Sequence, residues 1–134
     1  MAGDPLARYR DDDASAPRPY PDLHAHVLAL ARAGLLHVID TPINKDTEMH
    51  PLVRWQYRGG IPEAERKAFL FTQPTDGKGR RYDIAVLVAG LAANRDVYRI
   101  GFGKPLEEIG AAWIDAIAHP LPPRLVSEAP CQEI

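Results

Sequence analysis

Residues Lys67–Phe102 read KAFLFTQPTDGKGRRYDIAVLVAGLAANRDVYRIGF. Two apolar runs flank a polar loop rich in turn formers. Ala68 to Thr72 reads as a short strand. Pro74-Thr75-Asp76-Gly77-Lys78-Gly79 offers turn chemistry at several positions. Asp83 to Ala89 (DIAVLVA) is a near-continuous apolar run. Its lack of alternation predicts a strand buried on both faces, with helices on either side. Gly90 ends it. Asn94 is a favourable N-cap for the short helix RDVYRIGFG, because its side-chain oxygen can accept from an orphan first-turn amide. Gly101 or Gly103 is expected to stop that helix. This stretch is therefore the expected centre of the core.

Upstream, Asp22 stands as an N-cap before a helix in DLHAHVLALARAG. Leu23, Val27, Leu30 and Ala31 share one helical stripe, and Gly34 supplies a left-handed stop. Leu35 to Ile39 (LLHVI) is a predicted strand, and Thr41 to Lys45 a turn. A second helix is expected within TEMHPLVRWQYRGG, with Asp46 or Thr47 as cap and Leu52, Trp55 and Met49 facing the core. Pro51 belongs near its start, since proline lacks an N–H and clashes with a preceding turn. Ile61 to Arg66 is a polar connection.

Downstream, Pro105 fits the first position of a helix in PLEEIGAAWIDAIAHP. Glu107 and Glu108 suit its positive N-terminus. Leu106, Ile109, Trp113, Ala116 and Ile117 form its expected buried stripe. Pro120, Pro122 and Pro123 then force an extended exit. The predicted class is α/β: a small mixed sheet of about three strands flanked by helices, in the order α-β-α-β-β-α-α. Residues 1–20 are expected to be a flexible arm. Residues 21–119 form the domain, and 120–134 the extended exit.

The 134 residues suffice for one domain. A net charge of −2 with no basic patch points away from nucleic acid. Cys131 is the single cysteine, so no internal disulfide can form and a cytoplasmic location is expected. The opening MAGDPLARYRDDD lacks the apolar segment of a secretory leader. No apolar run approaches the ~20 residues of a membrane span.

Templates for chemistry fail in turn. In GFGKP, Tyr98 stands where a P-loop needs its first glycine and Pro105 where it needs Ser or Thr. No GxGxxG follows a strand, no GxSxG occurs, and Ser15 and Ser127 are the only serines. His24 and His26 lie about 200° apart around a helix and cannot share a metal from it. His37 reads as a strand-surface residue. Glu48 and His50 face different ways at a spacing of two. The Asp11-Asp12-Asp13 run reads as a solvated tail. Trp55 and Trp113 sit on apolar stripes and read as packing residues. Cys131 has no base nearby in sequence. The residues themselves therefore designate no catalytic, cofactor-binding or metal-binding site.

The central stretch nevertheless resembles the N-terminal domain of the UbiD-like decarboxylases. The resemblance rests on Ala68-Phe69-Leu70-Phe71, the loop Gly77 to Gly79, Ala85-Val86-Leu87-Val88, and Ile100-Gly101-Phe102-Gly103. It extends upstream through Asp22, Leu23, Leu30, Gly34 and Ile39. Downstream it takes in Pro120-Leu121-Pro122-Pro123, Val126 and Ala129-Pro130-Cys131-Gln132-Glu133. The family uses prenylated FMN, with manganese and potassium ions, to add or remove carboxylate on aromatic or α,β-unsaturated carbon. Family members are several times longer, and their flavin and metal ligands and catalytic Arg-Glu-Glu set lie in a later domain with no counterpart here.

The resemblance thus implies a non-catalytic scaffolding domain, a truncated form of such a carboxy-lyase. Its expected partner is the flavin-binding domain, within a homo-oligomer in the complete enzyme. The alternative is a free-standing accessory or assembly subunit that docks onto a separate flavin-domain polypeptide. Neither nucleic acid nor membrane is an expected partner.

Overall fold

In the computed structural model, residues 3–9 and 22–127 are described. The Asp11–Asp13 run, Ser15, Tyr20 and Cys131, with the APCQE motif around it, lie outside them. The fold is mixed α/β. Its first helix, α1, spans Leu23–Arg32. Strand β1 (Leu36–Ile39) and the two-residue β2 (Ile43–Asn44) follow. Helix α2 is Met49–Arg58. Three strands come next: β3 (Ala68–Phe71), β4 (Pro74–Thr75) and β5 (Val86–Val88). Helices α3 (Arg95–Phe102) and α4 (Leu106–Ala118) close the order. Two compact units divide between Lys104 and Pro105, so α4 groups with the exit segment rather than with the preceding elements.

In the first unit the main sheet runs β1-β3-β5. β1 and β3 are parallel, with Ile39 opposite Phe71, and β5 is antiparallel to β3, with Val88 opposite Phe69. β3 is central, and all four of its residues are buried. Its alternation sorts the core into layers. Phe69 and Phe71 pack on Met49 and Val53 of α2 and on Ile43. Ala68 packs with Leu30 of α1 and Val97 of α3, and Leu70 with Val27. A short strand between helical layers explains why β3 is apolar at every position, without the alternation of a half-exposed strand.

The double-sided burial expected of Asp83 to Ala89 belongs instead to β3. Only Val86–Val88 pair as a strand there, at the sheet edge and half-buried, and Ile84 is exposed. The Thr41–Lys45 turn is also more regular than expected. Ile43–Asn44 pairs in parallel with Pro74–Thr75 as a second, two-stranded sheet.

Local end signals match the expectations closely. Asp22 accepts from the Ala25 amide at 2.8 Å, and Asn94 from the Val97 amide at 2.8 Å. Of the two candidate stops for α3, Gly103 is the one used, with φ +62. Gly101 lies inside that helix, where a Cβ would come within 2.6 Å of Leu91.

The α2 start differs. Glu48 occupies the cap position without bonding a first-turn amide. Its carboxylate turns back to the Asn44 amide at 2.7 Å, while the Asn44 side chain takes the amides of Asp46 and Thr47. Pro51 falls in the first turn, where its missing N–H costs nothing.

Several expected core residues lie on the surface. Leu23, Leu52 and Trp55 are exposed; α2 buries Met49, as expected, together with Val53 and Gln56. Part of the expected N-terminal arm is structured. Ala7–Tyr9 forms a turn of 3₁₀ helix, and Tyr9 is buried with Val27 and Leu70.

Two buried side-chain amides hold the entrance to β3. Gln56 donates Nε2–H to the Lys67 carbonyl at 3.0 Å and accepts the Lys67 amide at 2.9 Å. Asn94 Nδ2 donates to the Arg66 carbonyl at 2.7 Å. Backbone groups that precede the ladder are thereby satisfied by side chains.

In the second unit, Pro105 is the N-cap of α4 rather than its first residue. Ile109 is buried, whereas Leu106, Trp113, Ile114 and Ile117 are exposed. The expected buried stripe is therefore largely a surface stripe. Residues 121–127 have no regular structure and are exposed.

Candidate binding site at the carboxyl ends of β1 and β3

Parallel pairing brings the residues that follow β1 and β3 side by side. Ligands of open α/β sheets collect at such strand ends. Asp40 follows Ile39, and Thr72 and Gln73 follow Phe71. The Thr72 amide continues the ladder to the Ile39 carbonyl at 3.1 Å. Its hydroxyl donates to Asp40 Oδ1 at 2.5 Å, and Gln73 Nε2 donates to the same oxygen at 3.2 Å. Gln73 also reaches the Asp40 carbonyl at 3.2 Å. These bonds hold the Asp40 carboxyl below the usual carboxylate range, with the Thr72 hydroxyl as the main cause and Gln73 next. Asp40 is thus a fixed anion and a hydrogen-bond acceptor.

A second wall comes from the loop after β4. Asp76 Oδ1 accepts the amides of Lys78 and Arg80, both at 2.9 Å, and Tyr82 donates its hydroxyl to Asp76 Oδ2 at 3.1 Å. These bonds, the Arg80 amide foremost, lower the Asp76 pKa. Asp46 Oδ2 accepts the Gly77 amide at 3.2 Å, tying the loop to the β2 side. Pairing of Thr75 with Arg81 then delivers Arg81, Tyr82 and Asp83 to the strand ends. A third wall is the N-terminal turn, where Tyr9 anchors Asp4, Pro5, Ala7 and Arg8. Arg8 faces Asp83 at 3.7 Å.

The three walls border an open cavity of about 610 Å³. That is within the size range of small-molecule sites, ~300–1,000 Å³. Its described lining offers carboxylates, guanidiniums, a hydroxyl, an amide and a phenol, but no imidazole. This set can bind and orient a polar molecule. It contains no activated nucleophile, because its single aliphatic hydroxyl, that of Thr72, donates to a carboxylate whose basicity is lowered.

A second hollow, about 720 Å³, lies along α1 and α3. Leu23, Leu91, Ile100 and Phe102 make it mainly apolar. His26 donates from Nε2 to the Gly90 carbonyl at 2.7 Å at its floor, which fixes the tautomer.

The other residues weighed from sequence do not converge. His24 meets the edge of Tyr9 with centroids 5.1 Å apart. His37 is exposed beside Phe69, and the partial desolvation of its ring, then the Lys67 charge, lowers its pKa. Glu48 serves the β2–α2 turn, and His50 is exposed. Trp55 is exposed, with its ring so close to Gly59 that a Cβ there would come within 2.9 Å.

Prenylated FMN with its divalent cation does not fit these residues. Among the described residues no three His, Cys, Asp or Glu side chains gather as metal ligands. The 610 Å³ cavity sets Asp4, Asp40 and Asp83 against Arg8 and Arg81, a mixed lining rather than a cradle of cations and amides for a phosphate. The Asp40 site itself was not singled out from sequence. Its signal is a polar residue directly after each of two apolar runs, which has meaning only once β1 and β3 are known to be parallel neighbours.

No helix among the described residues is long and apolar enough to cross a membrane. Compared with protein-family models, with curated proteins and with solved structures, the chain matches none.

Proposed function

We propose that this chain is a non-catalytic scaffolding domain, the N-terminal domain of a UbiD-like carboxy-lyase acting on an aromatic or α,β-unsaturated carboxylic acid. The observation that carries the reading is the placement of the resembling motifs. Ala68–Phe71 is the central strand, Val86–Val88 its neighbour, and Ile100 to Gly103 the end of the helix behind them. These three motifs follow one another along the first structural unit, while Pro120 to Pro123 and Val126 belong to the second. Large apolar side chains left on the surface, Leu23 and Leu91 among them, are available to a covering domain. The chain's contribution would be to support a flavin-binding domain, in the same polypeptide or as a separate subunit.

The test uses the purified chain and the separately expressed flavin-binding domain of a UbiD-like enzyme, loaded with prenylated FMN. The expected results are no flavin absorbance in the chain alone, a stable complex on gel filtration, and decarboxylation that rises when the chain is added. Stoichiometric prenylated FMN bound by the chain alone, or no complex at any ratio, would overturn the reading.

A further inference from the structure

The cavity at the ends of β1 and β3 leaves two opposite charges uncompensated. Arg8 and Asp83 pair with each other across its rim. Asp4 takes the Leu6 amide on Oδ1 at 3.0 Å. Asp40 has Oδ1 committed to Thr72 and Gln73, while Oδ2 takes no hydrogen bond from a described residue. Arg81 lines the same cavity, and its guanidinium makes neither an ion pair nor a side-chain hydrogen bond with a described residue. Asp40 and Arg81 are therefore held around one concave space without meeting. A fixed acceptor and a planar five-donor cation are complementary to a molecule carrying an ammonium at one end and a carboxylate at the other.

We infer that this cavity binds an amino-acid-type zwitterion, with its ammonium on Asp40 and its carboxylate on Arg81. Thr72 and Gln73 are positioning residues, since they orient the carboxylate that receives the ammonium. A cavity of about 610 Å³ has room for a free amino acid or a dipeptide. The inference does not rest on the scaffolding role, and either can fail alone.

The test is a titration of the full ¹⁵N-labelled chain with L-serine and with glycylglycine, followed by amide shifts. Acetate and methylammonium serve as the single-charge halves. Saturable shifts at Asp40, Thr72, Gln73 and Arg81 are expected with at least one zwitterion. Each half should bind at least ~10-fold more weakly, because it meets only one charge. Asp40→Asn and Arg81→Ala should each weaken binding by ~10-fold or more, and Arg54→Ala on α2 should leave it unchanged. Arg81 is exposed, so its variant tests the site without disturbing the core even if Asp40→Asn loosens the strand ends. Shifts absent with both zwitterions, equal shifts with acetate or methylammonium alone, or an Arg81→Ala variant that binds like the parent would each overturn the inference.

Discussion

Replacing Gln56 by leucine probes how the central strand is held at its start. Gln56 is 4% exposed, and its amide makes two bonds to one residue, 3.0 Å to the Lys67 carbonyl and 2.9 Å from the Lys67 amide. The pair reproduces what a neighbouring strand would offer at that point. Leucine keeps the volume and removes both bonds. Each is worth about 1 kcal/mol net, and a backbone group stranded away from water costs a further ~1–3 kcal/mol. Lys67 is half-buried, so water recovers part of that second cost. The expected loss is ~2–4 kcal/mol.

Urea unfolding followed by far-ultraviolet circular dichroism measures this directly. With a slope of ~1–3 kcal/mol per molar, the midpoint should fall by ~1–2 M with the slope unchanged. Gln56→Glu sharpens the test. An ionised carboxylate can still accept the Lys67 amide but sets an oxygen against the Lys67 carbonyl. Its destabilisation should therefore ease as acid protonates the new carboxyl, whereas that of the leucine variant should not. A leucine variant within ~0.5 kcal/mol of the parent, the scatter of ordinary surface changes, would refute the reasoning.

Three further outcomes are expected. Phe71→Ala empties a fully buried site and should cost ~3–5 kcal/mol, whereas Trp113→Ala, at a half-exposed ring, should cost no more than ~1 kcal/mol; thermal melts of the two variants compare them. Ala89 holds φ +58 without being glycine, so Ala89→Gly should stabilise by ~0.5–1 kcal/mol in the same assay, against the usual penalty of glycine. Thr72→Val removes the main cause of the lowered Asp40 pKa. A depressed carboxyl contributes stability that is complete above its unfolded pKa and lost as pH falls through its folded one. The stability gap between parent and variant, measured by urea melts across pH, should thus be largest near neutrality and close in acid; a gap that widens in acid would contradict the assignment.

The helix ends were legible because their determinants are local. Asp22 and Asn94 bond amides three residues on, and Gly34 and Gly103 adopt left-handed φ values of +70 and +62 where a helix must stop. Buried faces were less legible. On α2 the stripe through Leu52 and Trp55 and the stripe through Met49, Val53 and Gln56 both carry large side chains. Which one turns inward depends on where Phe69 and Phe71 lie. Gln56 was overlooked because a polar residue scores as surface until a backbone pair in need of partners is placed beside it.

The Lys67–Phe102 stretch shows the same division. Sequence alone determined that it contains two apolar strands, a turn-built loop and a capped helix, since each depends on neighbours within a few residues. Tertiary structure alone decided that Ala68–Phe71 takes the centre and Val86–Val88 the edge, and that Asp40 meets Thr72. Those outcomes follow from parallel pairing of β1 with β3, some thirty residues apart, and from antiparallel pairing of β3 with β5. The order of strands in a sheet is a property of long-range register, which no short window of sequence contains.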